Sequence, residues 1–265
     1  MNKFYRPEVD SLRAIAVIIV IFFHSGLNIF SGGYIGVDVF LVISGYLISS
    51  LIISEVSNDT FTFISFFERR LRRLIPALFF IIIISLIFSW YLLTPSELKK
   101  FGQSIIASSF FTSNILFWRE SGYFETEAEL KPLLHTWSLS LEVQFYIFFS
   151  FFLFLIIKLK RKWVIAITIL IFLLSLLISI WGSINKPIAN FYLLPSRGWE
   201  FLIGFFLAYL NIFDQNYLSR IKNEMLCLVG LCMIIFTSFF YNGYTPYPSL
   251  YSLLPTMGTA LLIIC

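Results

Sequence analysis

Charged side chains are scarce in this chain: 13% of its 265 residues are Asp, Glu, Lys or Arg, against roughly 25% in a soluble domain. Histidine occurs twice and cysteine three times. A compact soluble chain of this size exposes too much surface to hide a composition that is 58% hydrophobic with 32 phenylalanines, so a soluble enzyme is excluded. Disorder, which needs high charge and low hydropathy, is excluded too. Cys227, Cys232 and Cys265 lie in apolar runs without the spacing of a zinc site or a disulfide framework, and they read as small buried hydrophobes. No signal peptide is evident, because the first apolar run is long, carries Arg13 and His24 and lacks a small-residue exit. The net charge of +4 is too mild and too scattered for nucleic acid, so the basic residues serve first as topology markers.

What is present is a mean hydropathy of +0.87 in long apolar runs without strand-like alternation. Lipid offers no hydrogen bonds to a backbone, so such runs cross it as helices. They predict an all-α polytopic transmembrane bundle of about eight spans: Ser11–Phe30, Gly36–Ser54, Leu74–Leu93, Thr136–Ile157, Trp163–Trp181, Leu194–Ile212, Met225–Tyr241 and Leu250–Cys265. A ninth run, Phe101–Trp118, is diluted by Gln103, Ser104, Ser108, Thr112 and Asn114. Basic residues mark cytoplasmic loops. They cluster at Lys3 and Arg6, at Arg69, Arg70, Arg72 and Arg73, at Lys158–Lys162, and at Arg220 and Lys222. All four clusters share one side only if Phe101–Trp118 does not cross, so it is expected to be an interfacial or re-entrant helix, with the amino terminus cytoplasmic. The last run stops at Cys265 without a polar anchor, which gives the expectation of one membrane domain over 1–265, incomplete at its carboxy-terminal end.

Ionisable residues inside the bilayer cost roughly 2.5–3.5 kcal/mol each on insertion scales and normally face the bundle interior. Arg13 and His24 are eleven residues apart, which places them on one helix face about 16 Å apart along the axis; the plain alternative is a snorkelling Arg and a packing His. Asp38 opens the second span after Gly32, Gly33 and Gly36, where a carboxylate also suits a helix amino terminus. Ser44–Gly45 on that span reads as a close helix contact. Glu142 lies two turns into its span, within reach of Ser138 and Tyr146, with an ion pair to Arg197 as the structural alternative. Arg197 and Glu200 read as an i,i+3 pair, and His135 as an interfacial residue. Arg69, Arg70, Arg72 and Arg73 form two Arg-x-x-Arg pairs, a dense anion site as well as a positive-inside anchor. Arginines at the cytoplasmic face, and a His and a Glu about 15–20 Å deeper by helix rise, fit a ligand with a polyphosphate head and a long thin arm. Acyl-coenzyme A has that shape.

Six stretches carry a resemblance: RPEVDSLRAIAVIIVIFFHSG (6–26), GGYIGVDVFLVISGYLI (32–48), FFERRLRRLIPAL (66–78), LLHTWSLSLEVQFY (133–146), LLPSRGWEFLIGFFLA (193–208) and LLPTMGTALLI (253–263). In this order they resemble integral-membrane acyltransferase family 3, the bacterial O-acyltransferases of surface polysaccharides; Gly122-Tyr123-Phe124 fits as well. The resemblance places the family's Arg-x10-His element on Arg13 and His24, and its Arg-x-x-Arg element on Arg69–Arg72 and Arg70–Arg73. Its Trp-Ser-Leu-x-x-Glu element falls on Trp137, Ser138, Leu139 and Glu142. Where many relatives carry a second Glu, this chain has Val143. Relatives with this opening often carry a carboxy-terminal extracytoplasmic hydrolase-like domain, which this sequence does not contain.

The expected reaction moves an acyl group, acetyl above all, from cytoplasmic acyl-CoA to a hydroxyl of a cell-surface polysaccharide or lipopolysaccharide sugar. His24 is the expected general base, and Glu142 either orients it or takes the proton itself. Arg13, Arg69, Arg70, Arg72 and Arg73 are expected to hold the donor, and Asp38, Arg197 and Glu200 to shape the acceptor pocket. Acyl-CoA is a co-substrate; no permanently bound cofactor and no metal is expected. The partners are membrane lipid, acyl-CoA and a glycan, in the bacterial inner membrane. The rival reading is a proton-coupled transporter using the same His, Glu and Arg, although the sequence shows no inverted repeat.

Overall fold

The computed structural model describes residues 7–121, 130–213 and 224–265. Lys3, Arg6, Gly122–Phe124, Arg220 and Lys222 lie outside the described residues. Among those described, the chain is all-α, without a strand. Each of the eight apolar runs falls on one helix: α1 (Pro7–His24), α2 (Gly36–Ser57), α3 (Phe63–Leu92), α6 (Thr136–Ile156), α7 (Arg161–Asn185), α9 (Leu194–Phe213), α10 (Glu224–Phe240) and α11 (Leu253–Ile264). Three shorter helices join them, α4 (Pro95–Ser109), α5 (Ser113–Arg119) and α8 (Pro187–Tyr192). The segment Gly33–Ser57 and helices α3, α6 and α7 are each long and apolar enough to cross a membrane. The outward faces of α3 and α7 are apolar, with Phe80, Ile83, Phe88, Leu170 and Leu177 exposed, as lipid contact requires. The protein is a multi-pass membrane bundle.

Most helix ends fall within a few residues of those read in the sequence; three elements differ by more, each for a local reason. Helix α1 stops at His24 rather than near Phe30, because Gly26 takes φ +76°, a conformation residues with a Cβ rarely adopt, and turns the chain. His24 is therefore the last residue of its helix. Helix α3 starts eleven residues earlier than Leu74: Thr62 caps it by accepting from the Ser65 N–H, so the four arginines stand on the helix and not in a loop. The Phe101–Trp118 run is two helices. Thr94 and Glu97 form a capping box around Pro95 at the start of α4, and Phe111 at φ +54° breaks the chain before α5. At 1.5 Å per residue their 15 and 7 residues reach about 22 and 10 Å, short of the ~30 Å hydrocarbon layer.

The contacts divide the chain into two units: residues 1–54, 153–191 and 195–265, and residues 55–152 with 192–194. In the first, α2 is almost wholly buried and crosses α9 at glycines. A Cβ on Gly45 would lie 2.0 Å from the Phe201 carbonyl oxygen, and one on Gly204 would lie 2.2 Å from that of Val42. The Ser44–Gly45 contact anticipated from the sequence is this crossing, the small-residue packing by which helices associate in lipid. Helices α10 and α11 pack with the same economy at Gly230 and Gly258. They also bring Cys227 and Cys265 to a Cα–Cα distance of 5.8 Å, joined as a disulfide. This corrects the reading of both cysteines as separate apolar residues; 38 residues of sequence hide the pairing. In the second unit, α4 and α5 pack against α6.

Gly204→Val should disrupt the α2–α9 crossing and lower stability by about 1–3 kcal/mol or more; thermal unfolding of the purified protein in nanodiscs is the measurement, and Gly102→Ala, in open space, is the neutral control.

Candidate functional site

In the first unit, α1 presents Arg13, half-buried, with Nη1 3.4 Å from Asp10 Oδ1. One face of α1, Val9, Leu12, Ala16 and Ile19, is buried in the core. At the helix end, His24 is exposed and its Nδ1 stands 2.8 Å from the Val20 carbonyl oxygen. A carbonyl only accepts, so Nδ1 carries the proton and in the neutral ring Nε2 is the basic nitrogen. The Phe23 ring meets His24 edge-on at 4.8 Å and Tyr34 at 5.7 Å, and Tyr34 meets Tyr247 at 4.6 Å.

Those rings lead to an ionic cluster sealed from solvent. Arg197, Asp38 and Glu200 are each 0% exposed. Arg197 Nη1 donates to Asp38 Oδ1 at 2.7 Å, to Glu200 Oε1 at 3.3 Å and to the Tyr247 hydroxyl at 3.0 Å. Tyr247 in turn donates to Asp38, and the guanidinium lies over the Tyr247 and Phe191 rings at 4.6 and 5.2 Å. Burial pushes the Tyr247 phenol well above its usual pKa near 10, so it remains a neutral donor. The predicted Arg197–Glu200 pair is present, but enclosed, and Asp38 joins it. Tyr247, 50 residues beyond Arg197, escaped the sequence reading because nothing in the loop 242–249 pairs it with an ion.

In the second unit, α6 carries two polar stripes two residues out of phase, roughly 200° apart around the helix. Thr136, Ser140 and Gln144 face α4 and α5: Thr136 with Ser108 at 2.8 Å, Ser140 with Ser113 at 2.7 Å, and Gln144 with Asn114 at 2.8 Å. These bonds explain why the run Phe101–Trp118 is polar. They also fix the rotation of α6, so that Ser138, Glu142 and Tyr146 point the other way. Tyr146 donates to Glu142, whereas Ser138 donates to the His135 carbonyl at 3.1 Å. His135 is exposed, and Val143 is buried apolar packing. Arg70 lies 6.0 Å over the Tyr146 ring, so α3 and α6 bring an arginine and Glu142 to one tyrosine. The i,i+4 spacing of Glu142 and Tyr146 was readable in advance; the arrival of Arg70 was not.

The other arginines differ. Arg69 Nη2 grips both oxygens of Glu55 at 2.6 and 2.9 Å. Arg72 pairs with Glu68 at 2.6 Å on an exposed surface, and Arg73 is exposed. The basic cluster is thus partly neutralised by Glu55 and Glu68, two partners missed in the sequence. Among the described residues no three His, Cys, Asp or Glu side chains are grouped to hold a metal ion.

The fold defines a class, the multi-pass helical membrane proteins, with Arg13 and His24 on α1 of the first unit and, within the second, the Arg-x-x-Arg pairs on α3 and Glu142 on α6. The chain belongs to the acyltransferase family whose sequence pattern, described as an acyltransferase domain (Acyl_transf_3), matches residues 6–265. It is 34% identical over 259 residues to the peptidoglycan O-acetyltransferase OatA of Listeria monocytogenes, covering 93% of this chain and 41% of that protein. It is 32% identical over 256 residues to the putative peptidoglycan O-acetyltransferase YrhL of Bacillus subtilis, covering 92% and 40%. With the O-acetyltransferase OatA of Staphylococcus aureus it shares 41% identity over 144 residues, 54% of this chain and 24% of that one. The chain therefore spans about two fifths of the length of the first two relatives. No solved structure matches it.

Arg197→Met should cost about 3–5 kcal/mol, because it strands Asp38 and Glu200 as uncompensated buried carboxylates. Thermal unfolding in nanodiscs checks this, and the triple replacement of Asp38, Arg197 and Glu200 by apolar residues should recover most of the loss.

Proposed function

We propose that this chain is the membrane acyltransferase part of an O-acetyltransferase that transfers acetyl from acetyl-CoA to a hydroxyl of a cell-wall sugar. The observation that carries the proposal is the family match over residues 6–265. Peptidoglycan is the favoured acceptor, since two of the similar proteins are named for it; a lipopolysaccharide or other surface polysaccharide is the alternative acceptor. The membrane is the bacterial cytoplasmic one, with the amino terminus and the Arg69–Arg73 turn on the donor side.

In the reaction the sugar hydroxyl oxygen forms a bond to the thioester carbonyl carbon, and the carbon–sulfur bond breaks. The hydroxyl proton passes to a base, and the coenzyme A thiolate leaves and takes up a proton. A sugar hydroxyl is a weak nucleophile at neutral pH and needs that base beside it. His24 suits the task, for the Val20 carbonyl accepts from its Nδ1–H and so makes Nε2 the proton-accepting nitrogen of the neutral ring. Glu142, held by Tyr146, supplies the second acid–base group. Arg13, Arg70, Arg72 and Arg73 hold the donor phosphates, joined by Arg69 when the nucleotide competes with Glu55; guanidinium forks match phosphate oxygens. Asp38, Arg197 and Glu200 shape the acceptor side from beneath, since their sealed cluster supports Tyr247 and, through it, Tyr34.

The test is transfer of labelled acetyl from acetyl-CoA to peptidoglycan fragments by the purified chain in nanodiscs. His24→Ala should lose roughly a hundredfold or more in kcat; activity near wild type would remove it as the base. Joint replacement of Arg72 and Arg73 by Ala should raise the KM for acetyl-CoA more than that for the acceptor. Proton or solute flux with no acyl transfer would favour the transporter reading.

A further inference from the structure

The second unit holds a cavity of about 200 Å³ that the donor and acid–base residues do not use. It lies where the end of α3 meets the start of α4, and Glu97, Lys100, Ser104, Glu120 and Lys131 supply its polar lining. Leu93, Phe101 and Pro132 supply apolar walls. Lys131 Nζ bonds Glu120 Oε2 at 2.7 Å with both side chains mostly enclosed, 11% and 14% exposed, and it stands 5.7 Å over the Phe117 ring. Enclosing an ion pair in this way adds little net stability, because the loss of water offsets the attraction. Glu97 is also fixed: the Thr94 N–H and hydroxyl both donate to its Oε2 at 2.8 and 2.7 Å. Those bonds hold its carboxyl below the usual carboxylate range, so it is an anion at neutral pH.

The lining is matched in charge, two ammonium groups against two carboxylates, so it does not select a strong anion or a cation. It offers donors and acceptors side by side above apolar walls. Sugar hydroxyls both donate and accept, an N-acetyl group carries one N–H and one carbonyl, and the C–H face of a pyranose is apolar. The volume falls below the roughly 300–1,000 Å³ of sites for larger ligands, leaving room for one sugar ring and not for a nucleotide. On the orientation proposed above, with the amino terminus cytoplasmic, α3 runs outward and this cavity lies at its outer end, the side from which an extracytoplasmic acceptor arrives. We infer that the cavity between the α3 end and α4, lined by Lys100, Glu120 and Lys131, is a glycan subsite that binds one N-acetylated sugar of the acceptor. The inference rests on the acetyltransferase reading for its ligand but places the sugar at residues outside the transfer chemistry.

The experiment is calorimetric titration of the full chain in nanodiscs with the disaccharide of N-acetylglucosamine and N-acetylmuramic acid, alongside the acetyl-transfer assay. Lys100→Met and the charge-balanced pair Glu120→Gln with Lys131→Met should each weaken binding about tenfold, the scale of one lost charge-assisted hydrogen bond. They should raise the acceptor KM by the same factor and leave the KM for acetyl-CoA unchanged. Lys100 is only half-buried, so its variant keeps the fold if the paired one does not. Wild-type affinity in Lys100→Met and the paired variant, or no disaccharide binding by the wild type, would overturn the subsite. Binding that responds to these variants without any acetyl transfer would keep the subsite and overturn the transferase reading.

Discussion

A polar group in hydrocarbon must find its partner within the protein, because the solvent around it offers none. That constraint shapes both units. Arg197 sits among Asp38, Glu200 and Tyr247, a set drawn from two helices and a distant loop. Bringing α2 and α9 that close requires bare backbone at Gly45 and Gly204, so the glycines and the ion cluster are two parts of one solution. On α6 the Ser, Thr and Gln stripe is consumed by α4 and α5. Its pairing fixes the rotation of the helix and, with it, the direction of Glu142.

The same constraint sorts the polar residues by availability. Those sealed in the first unit serve the architecture, since an enclosed guanidinium with two carboxylates is costly to disturb. Those at helix ends and on exposed faces, His24 at the end of α1 before the Gly26 turn and Arg72 and Arg73 on α3, are exposed. The cavity beside Lys131 is intermediate: its ion pair is mostly enclosed, yet it borders an open volume. Family membership then gives the accessible residues a chemical meaning that geometry alone does not supply.

Much of this was legible in the residues themselves. Hydropathy over some twenty residues located every long helix, since crossing lipid is a demand on composition that local sequence must meet. The Arg13–His24 spacing, the doubled Arg-x-x-Arg, the lone Glu142 and the polar dilution of Phe101–Trp118 could all be read for the same reason: a polar residue in an apolar run stands out. The helix ends were less legible. Whether α1 stops at His24 depends on the backbone conformation of Gly26, and whether α3 includes its arginines depends on the Thr62 cap.

Sequence alone determined that this is a helical membrane protein and which polar residues interrupt its apolar runs, because composition and helical period are properties of neighbours along the chain. Tertiary structure alone decided the partners. Asp38 finds Arg197 across 159 residues and Tyr247 across 209, Arg70 arrives over Tyr146, and Cys227 meets Cys265. Each pairing joins segments that only packing brings together, and the side chains involved have the same composition and helical period whether or not they meet.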